Sequence, residues 1–127
     1  MPRYEGELFD PPAPVARVTL VNPKTGQTLS DIPMLLDTGA DITLLPLSCK
    51  DRLGLEKLST DPRDSLVGFD GSRQLFEEVE AHLVFEGKTF RGRFPLFDSP
   101  FGIIGGNVLN LLDVSLNGKQ LTWSVIA

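Results

Sequence analysis

The 127-residue sequence predicts an all-β fold, a small closed barrel with two short helices. Three observations point there. Apolar residues alternate with polar ones in runs of strand length, not helix length. Twelve glycines and ten prolines are spread along the chain, which calls for many turns between short elements. Hydrophobic residues make up 41%, enough for one packed core, and the length suits one domain.

Residues 1–14 run from polar to proline-rich (Asp10-Pro11-Pro12-Ala13-Pro14) and read as an extended N-terminal arm, either disordered or laid on a partner subunit. The domain proper is expected over residues 15–127. Val15 to Val21 alternates as a half-buried strand does, and Asn22-Pro23-Lys24-Thr25-Gly26 supplies a turn. Thr28 to Leu36 returns as a second strand, interrupted in its apolar run only by Pro33. A second apolar run, Ile42 to Leu45, predicts another buried strand. Pro46 near the start and Gly54 just past the end punctuate a short helix. Residues 55–63 read as a polar connector. Leu66 to Leu75 reads as a hairpin around Asp70-Gly71. Phe76 to Phe85 and Thr89 to Phe97 are strands joined at Glu86-Gly87-Lys88. A second short helix is expected from Asn107 to Leu111. Val114–Leu116 and Leu121–Ile126 form a final hairpin, with a type I′ signal at Asn117-Gly118.

Charge and composition exclude several functions. The net charge of −5 and pI near 4.7 argue against a nucleic-acid or anionic-membrane surface. One cysteine, Cys49, forms no intrachain disulfide, and one histidine with one cysteine lacks the usual ligands of a structural zinc site. No metal or cofactor is expected; Cys49 reads as a small helix residue and His82 as a structural strand residue. The opening seven residues carry no apolar signal region, and no apolar run is long enough to span a membrane, so a cytoplasmic protein is expected.

The chain is organised around Leu35-Leu36-Asp37-Thr38-Gly39-Ala40-Asp41. Asp37 ends an apolar run and is followed at once by a turn, where Asp bonds its own main chain and Gly39 is expected to supply positive φ. A carboxylate at the tip of a loop between buried strands is costly unless it is hydrogen-bonded or functional. The bare tripeptide Asp-Thr-Gly arises by chance in roughly one chain in twenty of this length. Its apolar flanks and a downstream block, Ile103-Ile104-Gly105-Gly106-Asn107, make the signal far more specific. With these pieces, and the glycine-bearing hairpin near Val67 to Ser72, the chain resembles the retropepsin-like aspartic proteases over about residues 15 to 126.

That resemblance implies an aspartic endopeptidase in which two carboxylates share one proton and activate one water. The chain holds one Asp-Thr-Gly. Asp98-Ser99-Pro100 is no second copy, because Pro100 cannot replace that glycine. Asp70-Gly71 lacks the middle hydroxyl. The resemblance therefore implies a homodimer with Asp37 of each chain on the two-fold axis, acting on a peptide or protein substrate. It assigns catalysis to Asp37, cross-dimer bonding to Thr38 and the turn to Gly39. Ala40 and Asp41 line the next subsite, Gly68, Phe69, Asp70 and Gly71 form the flap, and Ile103 touches substrate. Gly106 departs from the pattern, since retroviral enzymes usually carry there an Arg that pairs with the residue at Asp41. Arg17, Arg91 and Arg93 are the candidate replacements. A non-catalytic binding or assembly module with the same fold, and a domain active only when tethered, are the competing readings.

Overall fold

The structure, a computed structural model, describes residues 2–58, 66–67, 73–74 and 77–126. Its spine is a hairpin of β2 (Ala13–Val21) and β3 (Thr28–Leu36), the second matching the expected bounds. Alternation buries Ala16, Val18 and Leu20 on one strand and Ile32, Met34 and Leu36 on the other. The register slips between Val18 and Leu20, beside Asp31 at φ 60°, a left-handed conformation that Asp tolerates. The connecting turn does more than reverse the chain. Asn22 is only 4% exposed. Its side-chain amide donates to the carbonyls of Leu53 (3.0 Å) and Gly54 (3.2 Å), and its Oδ1 accepts from the Lys24 N–H. The turn thereby holds the end of α1 (Ser48–Leu53), which Gly54 closes at φ 65°.

A second hairpin, β7 (Glu78–Phe85) and β8 (Lys88–Phe97), lies beside β2, with Leu20 opposite Leu83. Glu86 and Gly87 both take positive φ (51° and 76°), the backbone a two-residue hairpin turn needs. β4 (Leu45–Pro46) pairs parallel to β8, and β9 (Gly102–Ile104) parallel to β3. The strand order is β4-β8-β7-β2-β3-β9, with β1 (Tyr4–Glu5) added on β2. Among the described residues no ladder joins the two ends of this sheet; they meet at one bridge, Leu44 with Ile103. Pro33 is accommodated because the ladder from β3 to β9 begins only at Met34. The core gathers Val79, Ala81, Leu83 and Phe85 of β7, Phe94 and Leu96 of β8, and Cys49 and Leu53 of α1.

Two smaller sheets complete the chain. β5 (Leu66–Val67) and β6 (Arg73–Gln74) pair antiparallel, and β10 (Asp113–Asn117) pairs with β11 (Thr122–Ile126). Trp123 anchors the latter hairpin against Phe85, with ring centroids 5.9 Å apart.

Several expectations are corrected. The run Ile42–Leu45 is not a full strand: only Leu45–Pro46 form β4, and Pro46 lies in that strand, not at the start of α1. The second helix, α2, spans Gly106–Leu109, starting one residue early and ending before Leu111. Asn117-Gly118 does not form a type I′ turn. Asn117 pairs with Thr122 across a four-residue loop in which Leu121, not Gly118, takes positive φ (54°). The Asn117 side chain accepts from the Gln120 N–H (3.1 Å) and stabilises the longer loop. Apart from these corrections, the N-terminal stretch makes contacts within its own chain. Tyr4 and Glu5 pair with Pro14 and Ala13, the Trp123 N–H donates to the Pro2 carbonyl (3.0 Å), and Phe9 packs on Phe101.

Candidate active site

Asp37 follows the last residue of β3, and its placement comes from backbone pairing. Its N–H donates to the Ile104 carbonyl (3.0 Å), continuing the β3–β9 contact by one residue. The chain then folds back on the side chain. The Gly39 N–H donates to Asp37 Oδ1 (3.0 Å), and the Ala40 N–H donates to the Asp37 carbonyl (3.2 Å). This is an Asx turn, and it fixes the carboxylate orientation. Asp37 is half-buried, while Thr38 and Gly39 are exposed at the tip. Gly39 does not take positive φ, contrary to expectation. Glycine serves there through closeness: a Cβ would lie 3.3 Å from Asp37 Oδ1, tight against the atom its own N–H contacts.

The loop from Asp37 to Leu44 is tied to residues 103–107 by seven hydrogen bonds. Besides the Asp37 bond, Leu44 and Ile103 exchange two at 2.9 Å, Gly106 N–H donates to Ala40 O (2.7 Å), and Asn107 N–H donates to Asp41 O (3.0 Å). The last two run through Thr43, which is 1% exposed. Its hydroxyl donates to Asn107 Oδ1 (2.8 Å) and accepts from the Gly105 N–H (3.1 Å), so both of its roles are filled. Sequence reasoning missed Thr43 and Asn107. The available signal was a hydroxyl inside an otherwise apolar run, Ile42-Thr43-Leu44-Leu45, which must find a partner once buried.

Two glycines let these segments approach. A Cβ on Gly105 would fall inside the Ile42 carbonyl group, and one on Gly102 would lie 2.7 Å from Leu44 O and 2.8 Å from the Met34 methyl. Gly105 has extended backbone (φ −95°), so space and not conformation demands glycine there. Gly106 differs: a Cβ would sit 3.5 Å from Ala40 O and from Asn110 Nδ2, an ordinary contact. The side-chain space it leaves is part of a depression of about 370 Å³ lined by Thr38, Ala40, Asp41, Asn107 and Leu109 among others.

The structure thus brings Asp37, Thr38, Gly39, Ala40 and Asp41 into one loop, with Ile103, half-buried on β9, directly behind it. Gly68, Phe69, Asp70 and Gly71 lie outside the described residues. The backbone pairs on either side of them, Leu66 with Gln74 and Val67 with Arg73, are antiparallel as a hairpin requires. Asp41 is exposed and makes no ion pair among the described residues. None of the candidate arginines is brought to it. Arg17 pairs with Glu5 (3.1 Å), while Arg91 and Arg93 sit on β8 opposite His82 and Glu80. Among the described residues no group of three His, Cys, Asp or Glu could hold a metal, and no helix is long and apolar enough to cross a membrane. Burial raises the Cys49 thiol pKa, consistent with a packed and unreactive side chain.

This fold, mostly strand with two short helices and a turn-held aspartate at the end of a core strand, is of a kind already known. Among solved structures it matches EIAV protease complexed with the inhibitor HBY-793, with a TM-score of 0.57 over 77% of this chain and 86% of that one. At 21% identity the likeness is one of fold. No protein-family model matches the sequence, and no curated protein matches it.

Proposed function

We propose that the protein is an aspartic endopeptidase of the retropepsin-like class, with its dyad formed by Asp37 of two identical chains. The observation that carries this reading is the Asp37 turn. A carboxylate is held half-exposed by a neighbouring N–H on a seven-bond frame, in a fold shared with a retroviral protease. Such a frame costs backbone entropy, and orienting a reactive group is a chemical reason for it.

In the proposed mechanism the two Asp37 carboxyls face each other across one water and share a proton. One takes a proton from the water as it attacks the peptide carbonyl, and the other donates one to the carbonyl oxygen. Thr38, exposed at the loop tip, reaches across to the second chain. The Gly39 carbonyl receives a substrate N–H, and Ala40, Asp41 and Ile103 border the extended peptide. The segment with Gly68, Phe69, Asp70 and Gly71 closes over it as a flap. The closed-barrel reading of the fold rests on the single Leu44–Ile103 bridge between the sheet ends.

The test is cleavage of a peptide library by the purified chain, with an Asp37→Asn control. Cleavage by the parent chain and none by the variant supports the mechanism; equal cleavage by both overturns it. The rate is expected to peak at acidic to near-neutral pH, because the dyad must hold one proton. A rate still climbing above about pH 9 contradicts a shared-proton dyad. Asp41, which has no ion-pair partner among the described residues, favours one alternative, a binding module of the same fold without cleavage. That reading predicts peptide binding with no product under any of these conditions.

A further inference from the structure

The depression beside Gly106 is open because one position lacks a side chain that it could carry. At Gly105 and Gly102 an added Cβ collides with main-chain atoms, so space requires glycine there. At Gly106 a Cβ meets Ala40 O and Asn110 Nδ2 at 3.5 Å, an ordinary contact, and its φ lies outside the left-handed region. The space it leaves is about 370 Å³. Clefts that hold small ligands run from roughly 300 to 1,000 Å³, so one long side chain fits.

The walls of the depression select charge. Among the described residues Asp41 is the one ionisable side chain in the lining. It is exposed, and no Lys, Arg or His among the described residues pairs with it. The two N–H groups at the start of α2 are already occupied, Gly106 by Ala40 O (2.7 Å) and Asn107 by Asp41 O (3.0 Å). Each of those carbonyls keeps a second lone pair for another donor. Thr38, Asn107 and Asn110 add neutral polar groups, and Thr43 holds the Asn107 side chain in place. An anion would meet the Asp41 carboxylate with those two N–H groups taken. An apolar group would strip water from the carboxylate and return nothing. An ammonium or guanidinium meets a charge partner and acceptors together.

Asp41 lies four residues after Asp37 in the same loop, and the Asn107 bond to its carbonyl ties it to the frame that orients Asp37. A cation seated there sits at a set offset from the reacting carboxylate. We infer that the Gly106 depression is a specificity pocket for a basic side chain of the substrate, Arg or Lys, with Asp41 as its charge partner. The inference rests on the peptidase reading above and names the class of peptide that site takes. A chain of net charge −5 also attracts a basic peptide at long range.

The test is kcat/KM for peptide sets identical except for Arg, Lys, Gln or Leu at one position, with each position scanned in turn. The pocket predicts that one position prefers Arg or Lys over Gln by at least about 5-fold, the size of an exposed ion pair. That preference should fall as salt is raised. Asp41→Asn is expected to remove it, and Asp41→Lys to turn it toward a Glu-bearing peptide. Gly106→Arg sets a guanidinium of the protein's own in the space and should remove it as well. Asp51→Asn, which takes the same charge from an exposed position on α1, keeps the preference. Urea unfolding checks that each variant folds. No basic preference at any position, or one that survives both Asp41→Asn and Gly106→Arg, overturns the pocket while cleavage itself stands. An Asp41→Asn chain whose molar mass falls below the parent's overturns it too, because the cation then comes from a second copy. Anisotropy of labelled peptides on the Asp37→Asn chain, with and without Asp41→Asn, separates the pocket from the catalytic reading. If the parent never cleaves but Arg-bearing peptides bind more tightly than Gln-bearing ones, and Asp41→Asn abolishes the difference, the pocket stands and the peptidase reading fails. If peptides bind with no basic preference, the pocket fails.

Discussion

The Asp37 loop and the β10–β11 hairpin are built on opposite principles. In the loop, every polar atom of the buried Thr43 hydroxyl is satisfied and seven hydrogen bonds join two distant segments. In the hairpin, a threonine hydroxyl and an indole N–H are buried without partners among the described residues, and leucines face solvent. A satisfied network specifies one geometry, and a buried polar atom left unpaired costs stability. The loop satisfies its buried hydroxyl within its own chain, while the hairpin leaves two buried polar atoms without partners among the described residues.

The contrast can be broken by substitution, from the largest effect to the smallest. Asp37→Asn is expected to lower peptide cleavage by about 1,000-fold or more while leaving the melting midpoint near the parent value. A fall in stability of several degrees would assign Asp37 to the frame instead of the chemistry. Gly105→Ala drives a methyl into the Ile42 carbonyl, so it should destabilise by about 3 kcal/mol or leave the protein insoluble, as read by urea unfolding. Gly106→Ala, one residue on, meets only ordinary contacts and should cost less than about 1 kcal/mol, or stabilise.

A matched pair sharpens the comparison. Thr43→Val removes a hydroxyl that serves Asn107 and Gly105 and should cost about 1–3 kcal/mol. The same change at Thr122 removes a hydroxyl with no partner among the described residues and should leave the folded chain as stable or slightly more so. Equal losses at the two threonines, measured in one denaturant series, would erase the distinction. The smallest effect is expected at Lys24→Ala. It breaks a fully exposed ion pair with Glu56, and the melting midpoint should not move beyond scatter.

Much of this was legible in the sequence because alternation and turn residues act locally. β2, β3, β7 and β8 fall close to the expected bounds, and the Glu86-Gly87 turn holds. Asp37, Thr38, Gly39, Ala40 and Asp41 are consecutive, so one loop had to carry them together. What the sequence hid is set by partners far along the chain. Ile42–Leu45 reads as a strand, yet those residues spend their hydrogen bonds on Ile103, Gly105 and Asn107, and only Leu45–Pro46 enter a ladder. Gly39 was expected to supply a backbone angle and instead leaves room beside a carboxylate. The Asn117-Gly118 signal was overridden by a side-chain bond three residues on.

The distance along the chain between the two halves of the Asp37 frame has a consequence for synthesis. Thr43 bonds to residues 62 and 64 positions later. At ribosomal rates of 5–20 residues per second, roughly 3 to 13 seconds separate the emergence of Thr43 and Asn107. During that interval the aspartate turn has no frame behind it, and β3 has no β9 to pair with. The nascent chain therefore carries the Asp37 turn without its supports. The frame closes only after almost all of the chain described here has been made.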